Sequence, residues 1–177
     1  YRRDGRSVFE VPQRRRGEPF SEWVTRVGPV LDEGHDVIFQ MPFVHGGVRG
    51  IADFLERVVH DDGTATYEPV DAKLARASAK PGHVLQLCFY AEAIAARMGR
   101  QPEHVHIELG SGQRETIRVD DVSAYWRRLR GQLAALIAAP PEEATRPEPC
   151  DHCAFCEFEP VCEAVWSLYR DTVERLG

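Results

Sequence analysis

The sequence predicts an α/β fold in which helices flank a mixed central sheet. Residues 81–98 place apolar side chains along a broad helical face that ends at Gly99, and residues 36–43 and 48–59 are typical of two strands joined by the turn His45-Gly46-Gly47. Along the chain, a short strand is followed by a helix, three strands, a long helix, two strands and a further helix. A mixed sheet covered by helices is the simplest packing of that order.

The first half of the chain is predicted to supply four strands and one helix. The strands are expected at residues 7–11, 36–43, 48–59 and 64–74, and the helix at residues 19–31. Pro12 ends the first strand, and the turn Asp61-Asp62-Gly63 precedes the fourth. An irregularity at Pro69 in this fourth strand would put Glu68 on the face that carries Asp71 and Lys73.

The second half of the chain is predicted to contain three helices and a strand pair. The helices are expected at residues 81–98, at residues 120–138 and from about residue 163, and the strands at residues 103–109 and 115–119. Asp120 or Asp121 would cap the second of these helices. We expect two domains: a core of residues 1–139, and a module of residues 140–177 that holds a Pro- and Glu-rich linker, a cysteine cluster and the closing helix.

The composition indicates a globular protein rather than a membrane protein. The chain has 177 residues, of which 43% are hydrophobic, enough for one domain with a real core. No apolar run approaches the roughly 20 residues of a transmembrane helix, and the start has no signal-peptide core. We therefore expect a cytoplasmic protein with no membrane contact. Because the first residue is Tyr1, we also expect a fragment that lacks its N-terminal part.

The charge balance does not suggest a protein that simply coats nucleic acid. The formal net charge is −6, whereas phosphate neutralisation usually requires a basic surface. One local excess of arginine stands near the start and could be either a solvated tail or a surface that faces DNA. It comprises Arg2, Arg3, Arg6, Arg14, Arg15 and Arg16.

Two acidic residues and a lysine lie on neighbouring predicted strands. Asp53 follows the small-residue approach Gly50-Ile51-Ala52, and Asp71 and Lys73 are two apart, so that their side chains share a face. Oxygen ligands with room for water and phosphate are what Mg²⁺ or Mn²⁺ prefers. The alternative is an ordinary cross-strand ion pair on a solvent-facing strand.

The C-terminal cysteines form a second candidate metal site. Cys150, Cys153, Cys156 and Cys162 crowd into one short segment, and thiols are normally reduced in the cytosol, so we predict metal ligation rather than disulfides. A tetrathiolate site suits Zn²⁺ or an iron–sulfur cluster, and the spacing alone does not choose between them. The fifth cysteine, Cys88, is predicted to lie in the core.

Three motifs in order resemble the PD-(D/E)XK nucleases of the RecB family. They are Gly50-Ile51-Ala52-Asp53, Asp71-Ala72-Lys73 and Gln86-Leu87-Cys88-Phe89-Tyr90. The resemblance covers the chain from about Val37 to Cys162 and implies a restriction-endonuclease-like fold. It implies that Asp53, Asp71 and the Ala72 carbonyl bind Mg²⁺ or Mn²⁺, that Lys73 is catalytic, and that Gln86 and Tyr90 position DNA or the active site.

The resemblance also bears on the cysteines and on one missing residue. Several RecB-like nucleases, among them CRISPR-adaptation exonucleases and the AddB nuclease domain, end in a cysteine pattern that holds a [4Fe-4S] cluster, and Cys153, Cys156 and Cys162 match its spacing. Cys150 would then replace a fourth ligand that those relatives carry upstream. Such families also have an acidic or histidine residue on a helix before the first strand, and the nearest candidates are Glu18, Glu22 and His35.

The leading prediction is a nuclease acting on DNA, either single-stranded or at ends. It would be one domain of a larger repair or recombination protein that has a helicase domain or subunit. Two alternatives remain: a non-catalytic nucleic-acid-binding module, and a zinc-stapled interaction domain in which the Asp and Lys pattern is coincidental.

Overall fold

A six-stranded mixed sheet organises the molecule. The computed structural model describes residues 1–74, 80–139 and 147–176, with side chains as far as Leu168. The strands are β1 (Val8–Glu10), β2 (Val37–His45), β3 (Val48–Val59), β4 (Ala65–Lys73), β5 (His104–Leu109) and β6 (Arg114–Arg118). The predicted α/β class with a mixed central sheet is confirmed.

The strands lie in the sheet in the order in which they occur along the chain. β1 pairs in parallel with β2, the strands β2, β3 and β4 form an antiparallel meander, β5 pairs in parallel with β4, and β6 is antiparallel to β5. A parallel neighbour requires a crossover. The segment between β4 and β5 contains such a crossover helix, which therefore begins close to the end of β4.

The part of the chain that the structure describes contains four α-helices. They are α1 (Phe20–Val27), α2 (Pro81–Met98), α3 (Val119–Ala138) and α4 (Glu159–Leu176). α1 and α2 contribute Trp23, Val27, Leu87 and Ile94 to one core cluster with the inward side chains of β2 to β5. α2 occupies the predicted residues and ends at Gly99, whose φ of 76° gives the left-handed cap that favours glycine.

The first and last helices depart from the prediction. The helix predicted over residues 19–31 ends at Val27 and continues as a 3-10 helix, Gly28–Asp32, because Pro29 has no N–H to donate to the preceding turn. The closing helix begins at Glu159 rather than at residue 163, so that Cys162 belongs to a helix and not to a loop.

Two smaller expectations also fail. Pro69 causes no irregularity, since the β3–β4 register runs unbroken through the pair Leu55 and Pro69. Glu68 therefore lies on the sheet face opposite Asp71, against the prediction. Asp120 and Asp121 do not cap α3 but lie in its first turn, where carboxylates favour the positive end of the helix dipole.

The chain divides into two compact units, Tyr1–Arg128 and Leu129–Gly177, with the division inside α3. The predicted boundary between residues 139 and 140 stays a prediction, and most of the predicted Pro- and Glu-rich linker lies at residues 140–146, outside the described residues. The second unit contains the 3-10 helix Asp151–Phe155 and α4. None of the helices in the described ranges is both long and apolar enough to cross a bilayer.

Candidate active site

Asp53 and Asp71 occupy opposing positions where β3 and β4 begin to separate. The last paired residues are Phe54 and Val70, and the same register places Asp53 across from Asp71. Beyond that pair, a side chain of β3 bonds to the backbone of β4: Asp53 Oδ2 accepts a hydrogen bond from the Ala72 N–H at 3.0 Å. The structure thus brings the two predicted carboxylates together on one face.

Asp71 is buried, and its negative charge is only partly compensated by its neighbours. Its Oδ2 lies 2.7 Å from Lys73 Nζ and has no further hydrogen-bond donor among the described residues. Burial raises the pKa of Asp71, and the neighbouring Asp53 carboxylate raises it further, against the opposing effect of Lys73. A buried anion beside a second anion is stabilised by a positive charge, and Lys73 supplies only one.

Gln40 holds the second oxygen of Asp53, a role that no sequence motif revealed. Its Nε2 donates to Asp53 Oδ1 at 3.2 Å. Gln40 has a φ of 61°, which is uncommon for a residue other than glycine. Ile38 and Met41 both reach the core cluster although strict strand alternation would separate them. The β2–β3 register is the same on both sides of Gln40 and places it across from Asp53, so that its side chain reaches the carboxylate from the neighbouring strand.

Gln86 and Tyr90 lie on the turn of α2 that faces this strand pair. Gln86 Nε2 donates to Tyr90 Oη at 3.2 Å, and Tyr90 Oη donates to the Ile51 carbonyl at 2.7 Å. Burial raises the pKa of Tyr90, and the charges of Asp53 and Asp71 raise it further, which places the phenol within their electrostatic reach. The third motif thus contacts β3 at Ile51, two residues before Asp53.

The donor set fits a hard divalent cation. Asp53 and Asp71 occupy opposing positions of β3 and β4, and the buried Asp71 Oδ2 has Lys73 as its one cationic neighbour among the described residues. Two carboxylates with open positions suit Mg²⁺ or Mn²⁺, which keep several waters. No group of three or more His, Cys, Asp or Glu side chains with ligating geometry occurs in the described ranges. The Ala72 carbonyl as a third protein ligand stays a prediction.

Comparison with protein families agrees with this geometry. The family model of the PD-(D/E)XK nuclease superfamily matches residues 9–163, which span all three motifs and the four clustered cysteines. The chain belongs to this superfamily. A comparison with curated proteins gave no significant match. The match confirms the predicted nuclease superfamily, whose members are typically metal-dependent, while the RecB-like subfamily stays a prediction.

The superfamily match extends over the four clustered cysteines. The structure places the thiols of two of them close together. Cys150 Sγ and Cys153 Sγ lie 3.9 Å apart, and the Cys150 N–H donates to Cys153 Sγ at 3.3 Å. Cys156 follows the 3-10 helix, and Cys162 lies near the start of α4. Four thiols provide the right chemistry for Zn²⁺ or an iron–sulfur cluster.

The remaining candidates have other roles. Arg26 donates to Glu18 Oε1 at 2.7 Å and to Oε2 at 2.9 Å. His35 Nε2 lies 2.9 Å from Glu33 Oε2, so Glu18 and His35 both bind residues outside the candidate site. Glu22 has no contact with Asp53 or Asp71 among the described residues. Cys88 is buried in α2, as predicted, and burial raises the pKa of its thiol to about 11.

Proposed function

We propose that this chain hydrolyses phosphodiester bonds of DNA, single-stranded or at ends, with Mg²⁺ or Mn²⁺. The observation that carries the proposal is the opposition of Asp53 and Asp71 with Lys73 on the buried Asp71 oxygen. This arrangement occurs in a chain of a nuclease superfamily. An ordinary surface ion pair would not require a second carboxylate to face a buried one.

The proposed roles follow from the contacts of each side chain. Asp53 and Asp71 would hold the ion together with the Ala72 carbonyl. A bound divalent ion lowers the pKa of a water ligand and offsets charge on the phosphate. Lys73 would position that water or stabilise the negative charge that develops on the phosphate oxygens. Gln86 is exposed and hydrogen-bonded to Tyr90, so its amide would contact the substrate while Tyr90 anchors it.

The test is metal-dependent cleavage of an end-labelled single-stranded oligodeoxynucleotide. We expect products with Mg²⁺ or Mn²⁺ and none with EDTA. Asp71→Asn should reduce cleavage at least about 1,000-fold because the ion loses a charged ligand. Asp61→Asn is the matched control, since Asp61 is an exposed aspartate in the turn after β3. A duplex and an oligoribonucleotide of the same sequence test the preference for single strands and for DNA.

Two results would contradict this proposal. Cleavage that persists in Asp71→Asn would indicate a contaminating nuclease or a different site. Metal-independent binding without cleavage by the wild-type protein would favour the non-catalytic nucleic-acid-binding alternative.

We further propose that the four clustered cysteines hold a metal centre that staples the second unit. The resemblance favours a [4Fe-4S] cluster on Cys153, Cys156 and Cys162 with Cys150 as the fourth ligand. The 3.9 Å between Cys150 Sγ and Cys153 Sγ favours Zn²⁺ instead, because Zn–S bonds of about 2.3 Å give a tetrahedral edge of about 3.8 Å.

Metal analysis of anaerobically purified protein separates these two centres. Brown protein with iron and sulfide, bleached by oxygen, would establish the cluster. Colourless protein with one equivalent of zinc would establish the staple without the cluster. Protein with neither metal, and with freely reactive thiols, would overturn both.

We also propose that the chain works as one domain of a larger repair or recombination protein with a helicase domain or subunit. The support is the resemblance to RecB-like nucleases. Purification of the natural protein from its source, followed by assays of ATP-dependent unwinding, tests this. A natural protein that lacks both a helicase segment and an unwinding partner would contradict it.

A further inference from the structure

A cavity of about 590 Å³ lies beside the candidate active site, between β1, α1, β2 and β3. That volume is within the range of small-molecule binding sites. Its lining combines basic, aromatic and amide side chains, among them Arg14, Arg49, Phe20, Trp23 and Gln40, with Glu10 and Ile51. None of these residues belongs to the three nuclease motifs except Ile51.

Two residues are shared between the cavity and the active site. Gln40 lines the cavity and donates to Asp53 Oδ1 at 3.2 Å. Ile51 also lines it, and its carbonyl accepts the hydrogen bond from Tyr90 Oη at 2.7 Å. The cavity wall is therefore only one side chain away from a proposed metal ligand. If one phosphate of a polynucleotide lies at Asp53 and Asp71, a neighbouring nucleotide would lie against this wall.

The two arginines of the cavity differ from Arg6 and Arg26 of the first unit in having no ion pair among the described residues. Arg14 and Arg49 are both exposed, and neither has an ion-pair partner within the described part of the chain. In contrast, Arg6 Nη1 lies 3.6 Å from Glu56 Oε1, and Arg26 Nε lies 2.7 Å from Glu18 Oε1. Two unpaired guanidiniums in one concave wall are well suited to bind a phosphate.

The acidic residue of the cavity does not cancel this charge. Glu10 Oε2 lies 4.0 Å from Arg2 Nη2, so its carboxylate already has a cationic neighbour outside the cavity wall. The local balance of the lining is thus two guanidiniums against one carboxylate that is partly compensated. The net charge of −6 for the whole chain therefore hides a basic cavity.

The aromatic residues supply flat surfaces beside the guanidiniums. The Arg49 Cζ atom lies 5.6 Å from the centre of the Phe20 ring, and Phe20 meets Trp23 edge-on with ring centres 5.5 Å apart. Trp23 Nε1 donates to the Pro12 carbonyl at 2.8 Å, which fixes the indole in the wall. Aromatic faces beside arginine form the combination with which proteins bind unpaired bases.

We propose that this cavity is a binding subsite for one nucleotide of the single-stranded substrate, next to the phosphate that is cleaved. Arg14 and Arg49 bind the backbone phosphate, and Phe20 stacks on the unpaired base. Gln40, which is held in a left-handed conformation, links occupation of the subsite to the position of Asp53. The proposal rests on the proposed nuclease function, because it assigns the substrate of that same site.

The experiment measures binding of a fluorescent single-stranded oligonucleotide by anisotropy in EDTA, so that cleavage cannot interfere. Arg14→Gln is compared with Arg16→Gln, an exposed arginine of the same loop that does not line the cavity. We expect Arg14→Gln to raise the Kd about tenfold and to reduce the slope of log Kd against log salt by about 0.7, the value for one lost phosphate contact on a single strand. Arg16→Gln should stay within about twofold of wild type.

Two further variants protect the test from misfolding and assign the base contact. Arg49→Gln should behave as Arg14→Gln does. Phe20→Leu keeps an apolar side chain beside Trp23 and should raise the Kd about tenfold without changing the salt slope, because stacking releases no counterions. Oligodeoxy- and oligoribonucleotides of equal sequence show which sugar the subsite prefers, and a matching duplex should compete poorly because its bases are paired.

The outcomes separate this inference from the proposed function. If wild type cleaves DNA but Arg14→Gln and Arg16→Gln bind alike, the subsite is overturned and the nuclease stands. If wild type does not cleave but Arg14→Gln alone weakens binding, the subsite stands and the nuclease proposal fails. Absence of single-strand binding by the wild-type protein would overturn the subsite.

Discussion

Gly50 and Tyr90 pack so closely that no side chain fits between them. A Cβ atom at Gly50 would lie 2.9 Å from Tyr90 Oη, 3.0 Å from Tyr90 Cε1 and 3.1 Å from Phe89 Cε1. This approach lets Tyr90 Oη reach the Ile51 carbonyl at 2.7 Å. The first glycine of the Gly-x-x-Asp motif thus has a packing reason: it admits the tyrosine of the third motif against the strand that carries Asp53.

Replacing Gly50 with alanine should therefore displace Tyr90. We expect Gly50→Ala to lower the free energy of unfolding by about 1–3 kcal/mol, as overpacking does in a filled core, and to reduce kcat. Gly28→Ala is the control, because a Cβ at Gly28 has no neighbour within 4 Å and its φ is −50°. Urea titration and cleavage kinetics measure both effects, and wild-type values for Gly50→Ala would show that Tyr90 is not held there.

The hydroxyl of Tyr90 should matter to turnover more than to folding. Tyr90→Phe removes the donor to Ile51 and the acceptor for Gln86, so we expect kcat/KM to fall about tenfold to hundredfold as positioning is lost. The cost in stability should be about 1 kcal/mol. Tyr67→Phe is the matched control, since Tyr67 Oη donates to the His35 carbonyl at 3.0 Å.

Comparison of these two tyrosine variants separates function from folding. Tyr67→Phe should lose similar stability and keep wild-type kinetics. Equal kinetic losses in both variants would mean that the effect of Tyr90 is structural.

Local patterns predicted those elements whose signals are contained within the elements themselves. The turn Gly46-Gly47 has φ values of 55° and 79°, which glycine adopts without strain, and it joins β2 and β3 as expected. α2 carries its own apolar face and its own glycine cap. Elements of this kind do not depend on distant residues, and so the hairpin and the long helix were predictable.

Features that depend on neighbouring strands were not predictable in the same way. Proline in a central strand suggests a bulge, because it has no N–H to donate to a neighbouring strand. The pairing of β4 with β5 begins only at Val70, however, so Pro69 lies outside that ladder and its missing N–H costs no hydrogen bond there. Gln40 stands between Phe39 and Met41 without any motif, and its role arises from a left-handed φ and from the opposing strand. The motifs therefore pointed to Asp53 but not to Gln40, which donates to it.

Acid should weaken the fold through Glu68, on the sheet face away from the active site. His106 Nε2 donates to Glu68 Oε2 at 2.8 Å, and the His104 N–H donates to Oε1 at 3.0 Å. Burial alone would raise the pKa of Glu68, but these partners lower it below the ordinary value of 4.5. The unfolded chain thus takes up the proton more readily, so this stabilisation is present above about pH 4.5 and is lost as the pH falls through the native pKa.

Unfolding measured across that pH range checks the contribution of Glu68. Glu68→Gln should lower stability at neutral pH and make its decline between about pH 5 and 3 less steep than in wild type. Asp61→Asn, at an exposed position in the turn after β3, is the control and should keep the wild-type steepness. Parallel curves for wild type and Glu68→Gln would exclude the proposed linkage.

Gln40 should support metal binding through Asp53, although its left-handed backbone conformation lowers the stability of the fold. Gln40→Ala removes the donor to Asp53 Oδ1 and keeps the left-handed φ of 61°, whereas Gln40→Gly removes the donor and the strain together. We expect both variants to weaken Mg²⁺ binding about tenfold or more, because a ligand without its supporting hydrogen bond is less well oriented. Gln40→Gly should be more stable than Gln40→Ala by about 1 kcal/mol, the cost of a left-handed residue with a side chain. Isothermal titration calorimetry and urea unfolding measure the two effects independently. Wild-type Mg²⁺ affinity in both variants would show that Asp53 needs no help from Gln40, and equal stabilities would show that the left-handed backbone is not strained.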